Sequence, residues 1–358
     1  MAPELHSSRI LILGAGGIGG VIAARLAAAG LRPVVVTHNP DIASAIQRRG
    51  ILVSERGRAQ RRVPVRAAAR LDELPAWMRF DVAMLCMKAT SAVGAAREVL
   101  GRLTHRGFVL CCQNGIVEDA VAGEIGQARC VSAIVGWAAT LLAPGEVDKS
   151  GPGKILIGEL DRPPSDRVVR LARILSHVSP TEACPKIRGA LWAKLALNCM
   201  SSTLGALSGL SVGRMLDSRA GREAFLAIYR EVLDTAEAAG IELVPVSGPP
   251  RSIYLERGAA PLARARAHGL LRLLGFRYRR LKSSMLQSLE RGRPTEIDYL
   301  NGYVLARADE LGVPAPANRS AVDMLREIER GERRSGPETL AAVAAAAAKY
   351  GASRFPVM

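Results

Sequence analysis

The segment that most limits the fold of this chain lies near its start, where a run of aliphatic residues meets a glycine-rich turn. Residues 9–13 predict a buried strand, and residues 21–29 predict a helix that ends at Gly30. A second apolar strand follows at residues 34–37. Strand, tight turn, helix and strand in this order predict the start of a parallel sheet with helices on its faces.

The rest of the chain divides into two parts by pattern. Further apolar strands are predicted at residues 82–87, 108–112, 131–135 and 154–157, and residues 51–53 and 63–65 predict a hairpin. Beyond residue 185 strand signals almost vanish, and helices are predicted at residues 190–207, 222–239, 262–274, 279–290, 295–311, 320–330 and 338–349. The expected fold class is therefore an α/β domain with a doubly wound, mostly parallel sheet at residues 1–185, followed by an all-helical substrate and dimerisation domain at residues 186–358.

Composition narrows the classes of partner. No stretch reaches the roughly 18 to 20 uncharged apolar residues that a membrane span needs, so neither a transmembrane helix nor a membrane partner is expected. The six cysteines lie mostly in apolar runs and the five histidines show no metal-ligand spacing. This predicts a cytoplasmic protein with reduced cysteines and no metal site. The formal net charge of +16 fits an anionic cofactor or a carboxylate substrate, with nucleic-acid binding as the less favoured alternative.

The glycine-rich turn has the pattern G-x-G-x-x-G, and its residues are Gly14, Ala15, Gly16, Gly17, Ile18 and Gly19. The pattern alone is weak, but here it follows a strand and opens a helix, which is the context of a dinucleotide-binding turn. The first glycine allows the tight turn, the second lets the backbone approach a pyrophosphate, and the third lets helix and strand pack closely. The helix N-terminus then offers free amides to the phosphates.

The end of the second strand discriminates between the two nicotinamide cofactors. An acidic residue there binds the ribose diol of NAD and repels the 2′-phosphate of NADP. This chain has Thr37, His38 and Asn39 instead, which favours NADPH and leaves NADH as the alternative. No arginine adjoins this segment, although more distant ones could fold towards it: Arg48, Arg49, Arg56 and Arg58.

One helical segment carries polar residues on an otherwise apolar surface. Lys194 lies within apolar residues 190–197, where a lysine is costly unless it faces solvent or a site. Asn198 follows four residues later and therefore shares its helix face. Reduction of a ketone builds negative charge on oxygen, and a cation or proton donor such as Lys194 would meet that charge. From the pattern alone, a lysine that extends to solvent is an equal alternative.

Four segments in order along the chain resemble the ketopantoate reductase family. They are the glycine turn with its helix, residues 87–90 (MKAT), residues 113–116 (QNGI), and the pair formed by residues 191–198 (LWAKLALN) with residues 283–302. The resemblance implies a Rossmann domain and a helical domain with the active site between them. It also implies NADPH-dependent hydride transfer to the carbonyl carbon of a 2-keto acid, in the manner of 2-dehydropantoate reduction to pantoate in pantothenate biosynthesis.

The resemblance also implies roles for individual residues. Lys194 corresponds to the general acid, and Glu296 to the acidic partner near the substrate hydroxyl. The implied substrate-binding residues are Asn198 and Ser284, with Ser202 one turn beyond Asn198. Lys88 and Asn114 correspond to cofactor-binding residues near the nicotinamide, beside the glycine turn and His38. Glu231 matches a further acidic position without a clear role.

Each of these residues also has a plainer interpretation. Glu296 could be a first-turn helix acid beside a Thr295 cap, with Asp298 completing a pattern like a capping box. Ser284 could be a surface serine, and Asn114 a turn residue with unusual backbone angles. The position of Asn114 at a strand end favours a role in ligand binding, because ligands bind at the carboxyl ends of parallel strands.

The chain departs from the biosynthetic enzymes at four polar positions. Asparagine is replaced by Ser202, Val212 and Leu281, and aspartate by Ser288. A site that loses hydrogen-bonding groups is expected to bind a less polar substrate. A basic stretch at residues 251–282 is longer than in compact family members, and it could form a lid, a dimer element or a solvated helix.

Three functional hypotheses therefore stay open, besides the less favoured one of nucleic-acid binding through the basic stretch. The first is an NADPH-dependent 2-keto acid reductase. The second is a related oxidoreductase that acts on a less polar carbonyl or an imine. The third is a non-enzymatic NADP(H)-binding regulatory protein, which the retained Lys194, Asn198, Ser284 and Glu296 argue against. A homodimer is compatible with all three.

Overall fold

The computed structural model describes residues 8–55, 60–246 and 253–352. Contacts divide the chain into two compact units, the first of which ends at Ile187 and the second of which begins at Arg188. The short segment Asn114–Ile116 belongs with the second unit. The assignment of cofactor binding to residues 1–185 and of substrate binding to residues 186–358 stays a prediction.

The first unit contains strands and helices in alternation. Its strands are β1 (Ile10–Leu13), β2 (Val34–Val36), β3 (Ile51–Glu55), β4 (Arg61–Val63), β5 (Arg66–Ala68), β6 (Phe80–Leu85), β7 (Leu103–Cys111), β8 (Cys130–Val135), β9 (Ala138–Ala143), β10 (Glu146–Ser150), β11 (Ile155–Gly158) and β12 (Thr181–Ala183). Its helices are α1 (Gly17–Ala28), α2 (Pro40–Arg49), α3 (Ala92–Val99), α4 (Glu118–Ile125) and α5 (Asp166–Leu175).

The central sheet has the strand order β12-β11-β8-β7-β6-β1-β2-β5. β1 pairs parallel with both β2 and β6, so that Leu11 lies opposite Val34 on one side and Ala83 on the other. The sheet is parallel from β5 to β8, whereas β11 is antiparallel to β8. The predicted doubly wound, mostly parallel sheet is thus confirmed. The strand order switches sides at β1, which is where sheets of this kind bind ligands.

A second sheet, β4-β3-β10-β9, packs over α1. The predicted hairpin is present as the antiparallel pair β3 and β4, and residues 56–59 at its tip lie outside the described residues. Strands β9 and β10 were not predicted, because their sequences are short and carry polar residues. A buried ion pair between Lys149 Nζ and Glu55 Oε1 (2.8 Å) joins β10 to β3.

The second unit is helical throughout the residues that the structure describes. Its helices are α6 (Ile187–Ser208), α7 (Val212–Asp217), α8 (Arg219–Ala238), α9 (Pro261–Arg277), α10 (Ser284–Glu290), α11 (Asn301–Glu310), α12 (Pro316–Glu329) and α13 (Glu338–Ala352). The fold class of this part is confirmed. No described helix has the length and apolar character that crossing a bilayer requires.

Two predicted helices of this unit have different bounds. The helix predicted at residues 279–290 begins only at Ser284, because the Ser283 hydroxyl accepts from Leu286 N and caps it. The helix predicted at residues 295–311 is interrupted: Ile297–Tyr299 forms a separate 3₁₀ turn, and α11 begins at Asn301. Hydrophobic spacing did not reveal this break, since apolar residues continue across it.

The basic stretch forms α9, which is largely exposed. Only Ala267, Leu271 and Gly275 are buried along it, whereas Leu273 and Phe276 are mostly exposed. Residues 251 and 252 of this stretch lie outside the described residues. The helix rests on α7, where a Cβ at Gly213 would lie 2.5 Å from Gly275 O.

Candidate functional site

Close backbone contacts fix the shape of the glycine turn. Gly14 has a φ of +98°, and a Cβ there would lie 2.8 Å from Met87 N. A Cβ at Gly19 would lie 2.0 Å from Gly14 O and 2.9 Å from Cys86 Cβ. Both positions therefore require glycine on steric grounds, and their contacts hold the start of α1 against the ends of β1 and β6.

The middle of the turn is open on one side. A Cβ at Gly16 would meet no protein atom within 4 Å, whereas one at Gly17 would lie 2.3 Å from Ala139 O on β9. The first turn of α1 carries no acidic residue. This N-terminus therefore presents amides and a positive dipole end to open space, which fits a pyrophosphate. Of the remaining turn residues, Ala15 is buried and Ile18 packs on the core.

A cavity of about 300 Å³ opens beside this turn. It is lined by the ends of β1, β2 and β6, and among its residues are the predicted His38 and Lys88. Lys88 directly precedes a short 3₁₀ turn at Ala89–Ser91. The structure thus brings the glycine turn, His38 and Lys88 together at the carboxyl edge of one sheet, as strand topology requires.

The end of β2 carries no carboxylate. Asn39 caps α2, since its side chain accepts from Asp41 N (3.0 Å) and Ile42 N (3.1 Å). His38 is exposed, and the acidic side chain among the described residues of the cavity wall is Glu98 on α3. The distant arginines do not settle cofactor choice: Arg48 and Arg49 do not line the cavity, and Arg56 and Arg58 lie outside the described residues.

Gln113 is a further residue of this edge, to which sequence reasoning gave no role. Its Nε2 donates to Leu85 O (2.9 Å) and Met87 O (3.2 Å), and so ties the end of β7 to the end of β6. Its Oε1 is buried and has no hydrogen-bond partner among the described residues. A glutamine directly after an apolar strand was the available signal, because a buried amide there must find partners.

In the second unit, α6 presents one partly accessible polar face. Lys194, Asn198 and Ser202 follow at intervals of four residues along a helix that is otherwise largely buried. Asn198 Nδ2 is buried and lacks a hydrogen-bond partner among the described residues. Lys194 is half-buried on this face, and its role stays a prediction.

The start of α10 lies against this face. Ser202 Oγ is 3.5 Å from Ser284 Oγ, and Ser283 Oγ donates to Ser202 O (3.1 Å). A Cβ at Gly205 would lie 2.8 Å from Ser283 Oγ, so a glycine in α6 permits the close approach. The C-terminal half of α6 and the start of α10 are therefore neighbours. Ser284 is exposed where the two helices meet.

Glu231 anchors a buried hydrogen-bond network. Its carboxylate accepts from Ala317 N (2.9 Å), Asn318 N (2.9 Å) and Asn318 Nδ2 (2.8 Å) at the start of α12. Asn318 Oδ1 accepts from Asn301 Nδ2 (2.9 Å), and Asn301 Oδ1 accepts from the Thr203 hydroxyl. Burial raises the pKa of Glu231, and the three donors oppose that rise.

This network contacts α6 at residues that adjoin its polar face. Thr203 adjoins Ser202, and Asn301 Nδ2 also donates to Cys199 O (3.3 Å), beside Asn198. Glu231 is fully buried, so this unassigned acidic position holds four helices together rather than facing ligand. The periodicity of α8 gave no signal for such a role, because its partners are more than 80 residues away.

The surroundings of Glu296 correct the alternative interpretation of this residue. No α-helix begins at Thr295, and Glu296 precedes the 3₁₀ turn with no side-chain capping bond. Thr295 Oγ1 accepts from Ile297 N (3.3 Å), while Asp298 pairs with Arg326 (2.7 Å). The expected capping-box pattern is therefore wrong, and Glu296 is a half-buried carboxylate in a turn.

Residues 114–116 pack on this same turn. Ile116 N donates to Tyr299 O (3.1 Å), and a Cβ at Gly115 would lie 2.2 Å from that oxygen. Gly115 takes a φ of +84°, and no described non-glycine residue has a positive φ. The unusual backbone angle thus belongs to Gly115, and the alternative interpretation of Asn114 is wrong. Asn114 lies two residues from Ile116, and Glu296 three residues from Tyr299.

Two of the four departures from the family pattern are adjacent. Val212 N donates to Leu281 O (2.9 Å) at the point where α7 begins. Val212 is buried and Leu281 is exposed. Ser288 lies one turn after Ser284 and donates to Ser284 O (3.1 Å), so its hydroxyl is turned back to its own helix. The substituted positions therefore cluster around α10 and the start of α7.

The first unit contains a second buried carboxylate, Glu118, at the start of α4. It is 1% exposed, and its Oε2 accepts from Val117 N (3.0 Å). Burial raises the pKa of Glu118 to about 7. The backbone N–H groups of Val117 and Glu118 oppose that rise, but they do not offset the loss of water.

These features define a class of protein, one with a Rossmann-type unit and glycine turn followed by a helical unit with a polar face on α6. The model of ketopantoate reductase PanE/ApbA matches residues 10–162, and the model of its C-terminal part matches residues 186–329. This chain belongs to the ketopantoate reductase family, and its fold is the one seen in ketopantoate reductase structures. The family is one of oxidoreductases.

Several relatives match over nearly the whole chain. A 2-dehydropantoate 2-reductase of Mesorhizobium japonicum is 28% identical over 90% of this chain and 99% of its own length. A PanE/ApbA family ketopantoate reductase structure from Ralstonia eutropha JMP134 is 28% identical, with a TM-score of 0.76 over 91% of this chain and 100% of that one. D-mandelate dehydrogenase, in a complex with NADH and anilino(oxo)acetate, shares the fold at 20% identity, with a TM-score of 0.75 over 90% and 98% of the chains.

Proposed function

We propose that this protein is an NADPH-dependent reductase of a 2-keto acid, of the type that converts 2-dehydropantoate to pantoate. The observation that carries the proposal is the polar face of α6. Lys194, Asn198 and Ser202 lie in line on a helix whose other faces are buried, and Ser284 lies beside Ser202. Polar groups in such an apolar helix are costly unless they bind something, and Asn198 Nδ2 still lacks a partner among the described residues.

Lys194 acts as the proton donor in this proposal. Negative charge grows on the carbonyl oxygen as the carbonyl carbon is reduced, and the ammonium group of Lys194 meets that charge and then gives up a proton. Asn198 Nδ2 donates to a substrate oxygen, while Ser202 and Ser284 bind the substrate from the start of α10. Glu296 accepts from the hydroxyl of the substrate and orients it.

The cofactor-binding residues in this proposal are the glycine turn, His38, Lys88 and Asn114. Gly16 leaves open space before the N-terminus of α1. The backbone amides of that N-terminus therefore bind the pyrophosphate. When bound, the nicotinamide supplies the hydride. Thr37 and His38 at the end of β2 carry no negative charge to repel a 2′-phosphate, which supports NADPH over NADH.

The substituted positions bear on which keto acid is used. Val212 and Leu281 adjoin each other where the biosynthetic enzymes carry asparagines, and neither side chain forms hydrogen bonds. This observation favours the second candidate function, reduction of a less polar carbonyl or imine by the same chemistry. A pocket that lacks hydrogen-bonding groups discriminates weakly between polar and apolar substrates. A substrate without a hydroxyl leaves no buried group of such a pocket without its hydrogen-bond partner.

The test is the oxidation of NADPH and of NADH, followed at 340 nm, with 2-dehydropantoate and a series of 2-keto acids of increasing apolar chain length. We expect a higher kcat/KM with NADPH than with NADH, and turnover that falls by at least about a hundredfold in Lys194→Ala. Arg214→Gln, an exposed change on α7, serves as the control.

Each outcome decides one part of the proposal. A large preference for 2-dehydropantoate assigns the biosynthetic reaction, whereas a preference for longer apolar keto acids assigns the second candidate. Tight NADPH binding without turnover of any carbonyl or imine would overturn both and leave a regulatory NADP(H)-binding protein. Full activity in Lys194→Ala would remove the proposed proton donor.

A further inference from the structure

The helical unit contains a cavity apart from the polar face of α6. Its volume is about 270 Å³, just below the range of roughly 300 to 1,000 Å³ in which small-molecule sites fall. Residues of α8, α9 and α13 line it, together with the loop at residues 255–259. None of the residues to which the proposed reaction gives a role belongs to its wall.

A cation in this wall has a buried N–H group without an acceptor in the part of the chain that the structure describes. Arg230, on α8, is half-buried, and its Nε is buried without a hydrogen-bond partner among the described residues. No carboxylate of the described part of the chain forms an ion pair with it. A buried guanidinium N–H that has lost water without a replacement is destabilising, and a bound anion would supply the missing acceptor.

A second arginine on α8 has acceptors for the N–H groups of its guanidinium. Arg222 is 4% exposed, two turns before Arg230, and donates to Leu216 O (2.7 Å) and Asp217 O (2.8 Å). Its Nε donates to His268 Nδ1 (3.1 Å). Arg222 thus needs no ligand, whereas Arg230 on the same helix keeps a buried Nε without an acceptor among the described residues.

His268 adds a neutral donor to the cavity wall. Because its Nδ1 accepts from Arg222, the ring carries its proton on Nε2. Burial and the nearby Arg222 lower the pKa of His268, so the ring is uncharged at neutral pH. A donor N–H is therefore present beside Arg230 at pH 7 without a second fixed charge.

The other residues of the wall define the ligand further. Arg257 and Arg264 also line the cavity, and so do the carboxylates Glu223 and Glu256, of which Glu223 is paired with Arg219 (2.9 Å). Three arginines against two carboxylates leave a net positive wall. The apolar part of the wall consists of small and aliphatic side chains from α8 and α13: Leu226, Ala227, Ala344, Ala347 and Ala348.

We infer that this cavity is a binding site for a small carboxylate with a short apolar chain, whose carboxylate pairs with Arg230 and whose chain lies against the alanines of α13. The guanidinium donates in the fork geometry that suits a carboxylate, and His268 Nε2–H provides an additional donor. Because the cavity is formed within the helical unit from residues outside the reaction, binding there is independent of whether the proposed reduction occurs.

The test uses butyrate and inorganic phosphate as probes on the full chain, at constant ionic strength. The dissociation constant is obtained from the concentration dependence of Tm, since a ligand that binds only the folded state raises it. We expect saturable stabilisation by butyrate and a weaker effect of phosphate. Arg230→Gln should weaken butyrate binding by about tenfold or more, because a charge-assisted hydrogen bond is lost.

Three further variants separate binding at this site from a general effect on stability. Ala344→Leu should abolish butyrate binding, because the longer side chain fills the cavity from α13. Arg214→Gln, which removes an exposed arginine outside the wall, and Lys194→Ala, which removes the proposed proton donor, should both leave it unchanged. Unchanged butyrate affinity in Arg230→Gln, stabilisation by phosphate alone, or the absence of stabilisation by either probe would overturn the assignment.

Discussion

The glycine turn of the first unit and the polar face of α6 in the second are held in place by opposite means. The turn keeps its shape because side chains are missing: a Cβ at Gly14 or Gly19 would collide with backbone atoms. The face of α6 keeps its position because side chains are present, through the hydrogen bonds that run from Glu231 to Asn318, Asn301 and Thr203. The first arrangement is sensitive to added volume, and the second to lost hydrogen bonds.

The largest effect is expected from breaking the network behind α6. Glu231→Leu removes the acceptor of three N–H groups and leaves them buried without partners. We expect a loss of about 4 kcal/mol in the free energy of unfolding, measured by urea denaturation. The control is Glu237→Leu, at an exposed position of the same helix. A similar loss of unfolding free energy in both variants would mean that leucine on α8 is destabilising at either position. The lost hydrogen-bond network would then not be the cause of the effect in Glu231→Leu.

The next effect is the pH dependence of stability that the buried carboxylate of Glu118 in the first unit causes. Burial raises the pKa of Glu118 from 4.5 to about 7, so the folded state holds its proton while the unfolded chain ionises. The stability present below pH 4.5 is therefore lost as the pH rises towards 7, by about 3 kcal/mol in total. Glu118→Gln should remove this loss. Unfolding curves from pH 4.5 to 8 that run parallel in the two proteins would contradict it.

A smaller effect is expected from added volume in the glycine turn. Gly19→Ala places a Cβ 2.0 Å from Gly14 O, so α1 must shift away from the end of β6. We expect a loss of about 2 kcal/mol in stability, from thermal or urea unfolding. Gly94→Ala in α3 is the matched control, because a Cβ there meets nothing within 4 Å. If Gly19→Ala unfolds like Gly94→Ala, close packing does not fix the turn.

The smallest change in stability is expected at Gly16. A Cβ there meets no protein atom within 4 Å, so Gly16→Ala should leave Tm nearly unchanged. The same methyl group occupies the space proposed for the pyrophosphate, and NADPH binding should weaken by about tenfold or more. Fluorescence titration with NADPH measures the affinity. Wild-type affinity in Gly16→Ala would show that the phosphates do not approach this residue.

The contrast between the two regions also explains what the sequence could predict. The turn and β1, α1 and β2 are specified by residues within 30 positions of each other, so pattern and turn chemistry were sufficient. On α6, the spacing of Lys194, Asn198 and Ser202 predicted one face correctly. The position of Ser284 beside Ser202 and the role of Glu231 depend on contacts between residues that are 80 or more positions apart in the chain. Hydrophobic periodicity does not predict such contacts.

The errors have physical causes of the same kind. The helix predicted at residues 295–311 is broken at a 3₁₀ turn, where Tyr299 O accepts from Ile116 N of a distant segment. Strand β10 was missed because Lys149 is polar, and it is buried only because Glu55 on β3 neutralises it. In both cases a long-range partner outweighs local preference.

In the proposed reaction, Lys194 protonates a carbonyl oxygen while hydride reaches the carbonyl carbon. The most direct test incubates the protein with NADPH deuterated at C4, in each of the two stereochemical forms, and with the best 2-keto acid substrate, followed by mass spectrometry and NMR of the product. We expect a 2-hydroxy acid with deuterium at C2 from one of the two forms, and almost none from Lys194→Ala. A product without deuterium at C2 from either form, or an equal yield from Lys194→Ala, would contradict the proposed reaction.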